Sequence, residues 1–294
     1  MTEAETKTEA WTIKRLLDWT TEFFQKYESE SPRLEAEILL AEALECERIQ
    51  LYTRFNEVPT EPALGNYRAW VKRRAAGEPV AYLVGHREFY SLRFRVDSHV
   101  LIPRPETEHA VVETIECAKQ FEGPVRICDV GTGSGCIAIT LTKHIDGCNV
   151  TATDLSPEAL KVALENAEIH QVAERIAFCE SDLFESVPEG QFEIIVSNPP
   201  YIGTDEVDTV AEDVQRFEPE SALYAGSDGL EVIRRLVAAS PARLVSGGYL
   251  IFEASPIIMD RCVEIVNGTV DLDYVKTVKD LAGHARILLA KRNS

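Results

Sequence analysis

The chain has 294 residues, of which 45% are hydrophobic, and a formal net charge of −19. This length and composition predict a globular protein with an ample core, built from one large domain and a smaller one. The acidic balance argues against tight direct binding of bare nucleic acid, because neutralised phosphates supply most of that affinity.

The cysteine and histidine patterns show no sign of a disulfide framework or a metal site. The seven cysteines are scattered and contain no CxxC pair, so we predict free thiols in a reducing compartment. The six histidines lack paired ligand spacing, and we predict no metal. The N-terminus resembles no secretory signal, and no apolar run is long enough to cross a bilayer. We therefore expect a cytoplasmic protein that does not contact membranes.

The first part of the chain has the pattern of a small helical bundle. Apolar residues recur at helical spacing from Ile13 onward. Ser31, followed by proline, has the sequence of an N-cap for a second helix, and a third helix begins near Pro62. We therefore predict an all-α N-terminal domain at residues 1–87.

The character of the sequence changes after this domain. Residues 89–96 alternate in polarity and contain strand-forming side chains, which predicts a β-hairpin. Residues 101–108 combine two prolines, one arginine and two carboxylates before a helix that begins near Thr107, a composition that favours a shaped pocket wall. We predict a hairpin linker at 88–106 and a third region at 107–294.

A glycine-rich segment follows the first predicted strand of the third region. The strand at residues 125–130 runs into Gly131-Thr132-Gly133-Ser134-Gly135, directly before a predicted helix. Glycines allow the backbone to turn tightly and to approach a ligand closely. The GxGxG spacing differs from the GxGxxG of dinucleotide-binding enzymes and is weak evidence by itself.

The next two strands also end in residues suited to a nucleotide-like ligand. The strand at 149–153 ends in Asp154, which is placed to accept hydrogen bonds from ribose hydroxyls. The strand at 176–180 leads to Asp182 and Leu183, where the edge and face of an adenine would lie.

The strand at 192–197 ends at Asn198-Pro199-Pro200-Tyr201. Two prolines stop the strand, and its carboxyl end faces the ligand crevice of an open α/β sheet. The Asn198 amide both donates and accepts, whereas the Pro199 carbonyl only accepts. With the Tyr201 ring, these groups suit a flat, neutral group that carries NH₂. We predict Asn198, Pro199 and Tyr201 as catalytic residues, and Asn198, Pro199, Pro200 and Tyr201 as the substrate site.

Five motifs together resemble the bacterial release factor glutamine methyltransferases. They are LIPRPETE at 101–108, DVGTGSG at 129–135, SNPPY at 197–201, FEPESAL at 217–223 and DLAG at 280–283. The resemblance implies an α/β fold, in which a Rossmann-like class I methyltransferase domain with a mostly parallel seven-stranded sheet follows a five-helix domain and a hairpin linker. It implies S-adenosylmethionine as cofactor, with S-adenosylhomocysteine as product. The implied substrate is the glutamine of the Gly-Gly-Gln tripeptide in class I peptide chain release factors.

The resemblance also assigns roles by position. Asn198 to Tyr201 would hold the glutamine. The helical domain at residues 1–87 lies before the hairpin linker and is less acidic than the rest, so we expect it to bind the release factor. The residues expected to bind the cofactor are Gly131, Thr132, Gly133, Ser134, Gly135, Asp154, Asp182, Leu183 and Asn198. The chain departs from the family at Leu183, where many relatives have a large aromatic residue, at residues 254–256, which replace a glycine-containing turn, and at Ala285, which replaces an acid.

Other functions remain open from the sequence. A glutamine methyltransferase that acts on a ribosomal protein is chemically identical. An adenine-N6 nucleic-acid methyltransferase shares Asn-Pro-Pro-Tyr but has to extrude its base, and the charge of −19 argues against it. A cofactor-binding module without catalysis is disfavoured by the intact Asn198–Tyr201 segment. We expect a monomer that binds release factors and does not bind nucleic acid directly.

Overall fold

The computed structural model describes residues 10–27 and 29–293. The chain divides into two compact units, Met1–Val84 and Gly85–Ser294, so this division falls slightly before the expected end of the helical domain at residue 87. Residues 1–9 contain the polar start of the sequence and lie outside the described part.

The first unit, here called the helical unit, contains five helices in its described residues. They are α1 Ile13–Gln25, α2 Pro32–Ala43, α3 Arg48–Thr53, α4 Glu61–Ala75 and α5 Val80–Val84. Their apolar faces form one core around residues such as Leu17 and Leu39. Tyr67 is buried there, and its hydroxyl donates to Thr20 Oγ1 at 2.8 Å. Ser31 occupies the N-cap position of α2 as expected, but its side chain makes no capping hydrogen bond.

A β-hairpin opens the second unit. Strands β1 His86–Phe89 and β2 Leu92–Arg95 pair antiparallel, so the hairpin begins two residues before the expected linker at 88–106. The two turn residues have positive φ, 50° at Tyr90 and 60° at Ser91. Two-residue turns of this kind match the twist of paired strands and usually contain Asn-Gly. Here the two positions are Tyr90 and Ser91, so the sequence carries no obvious turn signal.

The second unit, here called the catalytic unit, is built on a seven-stranded sheet. Its strands are β3 Arg126–Val130, β4 Asn149–Asp154, β5 Ile176–Glu180, β6 Phe192–Ser197, β7 Leu244–Glu253, β8 Leu272–Lys279 and β9 Ala285–Arg292. The order is β5-β4-β3-β6-β7-β9-β8, and only the pairs of β9 with β7 and β8 are antiparallel. This confirms the predicted mostly parallel sheet. The strand order reverses between β3 and β6, where ligands bind in open α/β sheets.

Helices cover both faces of the sheet. One core includes residues of α6 Glu108–Ala118, α7 Cys136–His144 and α8 Pro157–Ile169. A second core includes residues of α11 Glu231–Arg243 and α12 Met259–Asn267. The short helices α9 Glu212–Phe217 and α10 Glu220–Leu223 lie in the segment between β6 and α11. The sequence predicted an acidic loop at residues 203–215, and α9 begins within that range. Throughout the described part of the chain, every helix is too short or too polar to span a membrane.

The beginning of β7 differs from the expectation. The sequence predicted a helix to Leu244 and a glycine turn at Gly247 and Gly248, followed by a strand. In the structure β7 starts at Leu244, and its register with β6 shifts before pairing resumes at Ile194 and Tyr249. The two glycines therefore lie within an irregular stretch of the strand. Glycine in a strand commonly marks such a bulge, where extra residues oppose a shorter stretch of the partner.

The turn before α11 packs against the segment that follows β6. Gly229 has a φ of +72°, and a Cβ at this position would lie 2.4 Å from the carbonyl oxygen of Tyr201. It would also lie 3.0 Å from the backbone nitrogen of Gly203. A residue without a side chain is therefore needed here, and it lets the turn support the end of the Asn198–Tyr201 segment.

We expect Gly229→Ala to destabilise the catalytic unit by more than Gly123→Ala does. Gly123 also has positive φ, +87°, but no described atom lies within 4 Å of its Cβ position. The control variant therefore adds only backbone strain, about 1–2 kcal/mol, whereas Gly229→Ala adds overpacking of about 1–3 kcal/mol. The difference is measured by urea unfolding followed by circular dichroism.

Tryptophan fluorescence provides an internal control for this comparison. All three tryptophans, Trp11, Trp19 and Trp70, belong to the helical unit. Fluorescence therefore follows the helical unit, and its transition is compared with that of circular dichroism in both variants. Equal losses of stability in Gly229→Ala and Gly123→Ala would contradict the packing against Tyr201.

Candidate active site

A cleft lies at the carboxyl ends of the parallel strands. Its lining includes residues 131–134 after β3, 154–156 at the end of β4, 181–183 after β5 and 198–200 after β6. The structure therefore brings together nearly all of the residues that the sequence singled out. Gly135 and Tyr201 are the two that do not belong to this lining.

The glycine loop leaves open space on the side of the cleft. No described atom lies within 4 Å of a Cβ position at Gly131 or Gly133. A Cβ at Gly135 would instead lie 2.9 Å from Ile139 Cδ1 and 3.2 Å from Ala163 Cβ. The first two glycines thus form an open cradle that fits a bound cofactor, while the third allows α7 and α8 to pack closely.

Asp154 shapes this cradle. Its Oδ2 accepts the backbone N–H of Gly133 at 2.8 Å, and its Oδ1 accepts that of Ser156 at 2.9 Å. Burial raises the pKa of Asp154, and these backbone hydrogen bonds oppose the rise. Each carboxylate oxygen has more than one lone pair, so Asp154 keeps accepting capacity toward the cleft. Sequence reasoning expected the ribose contact and missed the hold on the loop.

A second acid, Asp129, was missed as a site residue although it lies within the quoted DVGTGSG motif. Its Oδ2 accepts the hydroxyl of Thr132 at 2.7 Å and the backbone N–H of Ala138 at 3.1 Å. Its Oδ1 has no hydrogen-bond partner among the described residues. Burial raises the pKa of Asp129 to about 7. A carboxylate among the apolar residues at the end of a strand was the signal, and its contacts tie the glycine loop to the first turn of α7.

The expected adenine wall contains an ion pair. Asp182 Oδ2 lies 2.7 Å from Arg235 Nη2 of α11, and Arg235 itself lines the cleft. Leu183 also lines the cleft, with a φ of +50°. Arg235 was not found from the sequence, because a charged residue on a helix is ordinarily solvated. The Asp182 carboxylate, which we expected to stand by itself at the adenine position, is therefore paired with the Arg235 guanidinium.

The Asn198 side chain is held from behind by a threonine. Its Nδ2 donates to Thr107 Oγ1 at 3.1 Å. The Thr107 hydroxyl donates to Glu253 Oε2 at 2.6 Å, at the carboxyl end of β7. Burial raises the pKa of Glu253, and the hydrogen bonds from Thr107 and Tyr201 oppose the rise. The sequence analysis gave Thr107 only as the start of a helix and assigned no role to Glu253, although an acid that ends the apolar run of β7 was a signal.

The Tyr201 side chain is fixed by a carboxylate and by the core. Its hydroxyl donates to Glu253 Oε1 at 3.1 Å, and its side chain packs against the core shared with α11 and α12. Burial and the charge of Glu253 both raise the pKa of Tyr201. In this arrangement Tyr201 anchors the segment after β6, and a contact of its ring with the substrate stays a prediction.

Two of the quoted motifs form one wall of the cleft. The Arg104 guanidinium bonds to Glu218 Oε1 and donates to the carbonyl oxygen of Ile102 at 2.8 Å. Glu218 Oε2 accepts the backbone N–H of Ile102 at 3.1 Å. Pro103, Arg104 and Pro219 line the cleft. The LIPRPETE and FEPESAL segments are therefore joined through a buried carboxylate.

Comparisons with known proteins agree with this architecture. Residues 15–85 match the PrmC N-terminal domain, and residues 110–220 match the methyltransferase small domain. The release factor glutamine methyltransferase of Rhodopirellula baltica is 47% identical over 97% of this chain and 98% of its own length. That of Koribacter versatilis is 40% identical over 96% and 99%.

A solved structure supports the shared fold. The methyltransferase from Pyrococcus furiosus superposes with a TM-score of 0.50 at 18% identity, covering 78% of this chain and 99% of that one. The two sequence relatives extend over nearly the whole of the chain, from the helical unit to the last strands. The chain belongs to the release factor glutamine methyltransferase family.

Proposed function

We propose that this protein transfers a methyl group from S-adenosylmethionine to the side-chain amide nitrogen of the glutamine in the Gly-Gly-Gln motif of class I peptide chain release factors. The observation that carries the proposal is a single cleft in which the open glycine cradle lies with Asn198 and Pro199. The names of the relatives, at 40% and 47% identity, support the choice of substrate.

The cofactor roles follow from the lining of the cleft. The cradle at residues 131–135 would receive the amino-acid part of S-adenosylmethionine, and Asp154 would accept hydrogen bonds from its ribose. The remaining part of the cofactor would lie against Asp182, Leu183 and Asn198. The bound cofactor supplies an electrophilic methyl group on a sulfonium. A neutral amide nitrogen is a poor nucleophile, because its lone pair is delocalised into the carbonyl group.

The task of the protein is therefore to orient the amide. The side-chain oxygen of Asn198 and the carbonyl oxygen of Pro199 each accept one N–H of the glutamine, while Pro200 keeps the segment extended. Orientation of this kind contributes roughly 7–11 kcal/mol toward lowering the barrier. The two acceptors also favour the positive charge that develops on nitrogen, so they bind the transition state more tightly than the ground state.

The helical unit is the proposed binding region for the release factor. Three aromatic residues form what we call the aromatic stripe: Trp19 and Phe23 of α1, and Tyr27 just after its end. The rings of Trp19 and Phe23 stack with their centroids 5.0 Å apart, and the centroids of the Phe23 and Tyr27 rings lie 4.9 Å apart. Trp19 is 47% exposed and Tyr27 is 54% exposed. Exposed aromatic side chains are enriched where proteins bind partners, which supports docking through this stripe.

We further propose that the protein acts as a monomer in the cytoplasm, where release factors work. The net charge of −19 supports a protein partner over direct binding to nucleic acid. These statements depend on the proposed substrate and remain predictions.

The proposed substrate is tested by incubating the protein with radiolabelled S-adenosylmethionine and, separately, a class I release factor, ribosomal proteins and DNA. We expect label only on the release factor, at its Gly-Gly-Gln glutamine. Asn198→Ala should reduce single-turnover methylation by about 10²–10³-fold, the usual cost of one preorganised polar contact. Cofactor affinity should change much less. Labelling of DNA or a ribosomal protein in place of the release factor would contradict the proposal.

The cofactor role of Asp154 is tested by calorimetry. Asp154→Ala should weaken S-adenosylmethionine binding by roughly 1.5–3 kcal/mol, because it removes hydrogen bonds to a charged group. Asp146→Ala is the matched control, since it removes the same charge from an exposed residue outside the cleft lining. An unchanged affinity in folded Asp154→Ala would remove Asp154 from the cofactor site.

The aromatic stripe is tested in the full chain. Trp19→Ala should lower kcat/KM for the release factor by roughly 10- to 100-fold, the size of effect expected for an interface anchor. Cofactor binding should stay unchanged. The control is Ile49→Ala, which truncates another apolar side chain of the helical unit that is 67% exposed. Equal kcat/KM in the wild type and in Trp19→Ala would rule out the stripe as the docking surface.

A further inference from the structure

A chain of hydrogen bonds runs from a buried carboxylate to the surface of the cleft. Both oxygens of Glu253 accept hydroxyl groups, Oε2 from Thr107 and Oε1 from Tyr201. Thr107 Oγ1 in turn accepts Nδ2 of Asn198. Glu253 and Thr107 are 1% and 2% exposed, whereas Asn198 is half-buried and lines the cleft. The sequence separation of 146 residues between Thr107 and Glu253 makes this a tertiary feature of the sheet.

The carboxylate decides the direction of every hydrogen bond in this chain. An ionised carboxylate only accepts, and a hydroxyl group has a single hydrogen to donate. Thr107 therefore directs its hydrogen toward Glu253 and presents a lone pair to Asn198. Only the NH₂ end of the Asn198 amide can approach that lone pair favourably. The oxygen of the amide is then left for the cleft.

Burial and the neighbouring groups act on the Glu253 carboxyl in opposite directions. Burial raises the pKa of Glu253, and the charge of nearby Glu106 adds to the rise. The two donated hydroxyl groups and the positive charge of Arg286 act in the opposite direction. Arg286 is held in turn by Asp280 of the DLAG segment, with Nε 2.9 Å from Oδ2. The DLAG motif thus holds a cation whose charge acts on Glu253, although the motif does not line the cleft.

We propose that Thr107 and Glu253 are positioning residues that fix the Asn198 amide with its oxygen toward the substrate, so that the site selects a group that offers N–H. This inference rests on the proposed function and adds its specificity. A primary amide satisfies the Asn198 oxygen. The carboxylate of a glutamate at the same position has no N–H to offer and places its oxygens against that of Asn198.

The opposite orientation of Asn198 is unfavourable. It would set the amide oxygen of Asn198 against the lone pair of Thr107 Oγ1, and the hydrogen bond between these two side chains would be lost. A lost hydrogen bond of this kind changes an equilibrium by roughly 10- to 100-fold. The chain therefore gives one orientation of Asn198 a large majority before any substrate binds.

The test uses the full-length protein and a class I release factor in two forms, with glutamine or with glutamate in the Gly-Gly-Gln position. Single-turnover methylation is measured on the glutamine form, and the glutamate form is measured as a competitive inhibitor. Contacts elsewhere on the release factor affect both forms equally. The ratio of the affinity for the glutamine form to the affinity for the glutamate form therefore reports the orientation of Asn198. A variant with only a general structural defect would leave this ratio unchanged.

Three variants address the chain. Thr107→Val keeps the shape of the side chain and removes its hydrogen bonds, whereas Thr107→Ser keeps the hydroxyl. Glu253→Gln supplies an NH₂ group that can donate to the Thr107 hydroxyl oxygen. The Thr107 hydroxyl hydrogen is then free to donate to the side-chain oxygen of Asn198, which reverses the Asn198 amide. Thr114→Val is the matched control, because Thr114 is buried on α6 and its hydroxyl donates to the carbonyl oxygen of Ala110 at 2.8 Å, outside the chain.

We expect Thr107→Val to slow single-turnover methylation by roughly 10- to 100-fold and to narrow the glutamine-to-glutamate affinity ratio by a similar factor. Thr107→Ser should restore both quantities to within a few-fold of the wild type. Glu253→Gln should bind the glutamate form more tightly than the wild type does, since a reversed Asn198 offers NH₂ to a carboxylate. Cofactor affinity, measured by calorimetry, should stay within a few-fold in every variant.

The inference is overturned if Thr107→Val keeps the wild-type rate and affinity ratio, or if Thr114→Val reproduces its losses. Should Glu253→Gln fail to fold, the Thr107→Val and Thr107→Ser pair decides the matter alone. A wild-type protein that methylates the release factor, together with an unchanged ratio in Thr107→Val, contradicts the positioning role only. A wild-type protein that methylates no release factor contradicts the proposed function and the inference with it.

Discussion

The buried carboxylate of Glu253 is the constraint on which the substrate side of the site depends. A charge taken out of water is costly unless hydrogen bonds and countercharges replace its hydration. Here the replacements come from Thr107 at the start of α6 and from Tyr201 after β6. The two hydroxyl groups that bind this one carboxylate at the end of β7 therefore join two distant segments. Thr107, which lines the cleft, also accepts a hydrogen bond from Asn198.

Other carboxylates organise the remaining walls in the same way. Asp129 and Asp154 accept backbone N–H groups around the glycine loop, and Glu218 accepts that of Ile102. Each of these acids satisfies a donor in a loop or in the first turn of a helix, where the main chain supplies no regular acceptor. The cleft is thus formed by loops whose conformations are set by acids at or near the strand ends. This arrangement also explains why acidic residues are frequent in the motifs of a protein whose substrate chemistry needs no acid.

The sequence was sufficient for the fold and for placing most of the candidate site residues in one cleft, and insufficient for the contacts among them. The sequence predicted that the glycine loop, Asp154 and Asn198 lie near one another. Each follows a strand, and parallel strands bring their carboxyl ends to one edge of the sheet. The bond between Thr107 and Glu253 depends on β7 lying beside β6, which local patterns do not contain. The short helices α3 and α5 were missed because they are too short to display a clear helical period. The inward turn of the Tyr201 hydroxyl could not be inferred without knowing where Glu253 lies.

A crystal structure of the protein with S-adenosylhomocysteine and a peptide that contains Gly-Gly-Gln tests the central claim most directly. The account predicts that Oδ1 of Asn198 and the carbonyl oxygen of Pro199 each lie about 3 Å from the glutamine amide nitrogen. It also predicts that Nδ2 of Asn198 remains on Thr107. A glutamine amide bound away from Asn198, or an Asn198 that has left Thr107 and donates to the glutamine carbonyl oxygen, would contradict it.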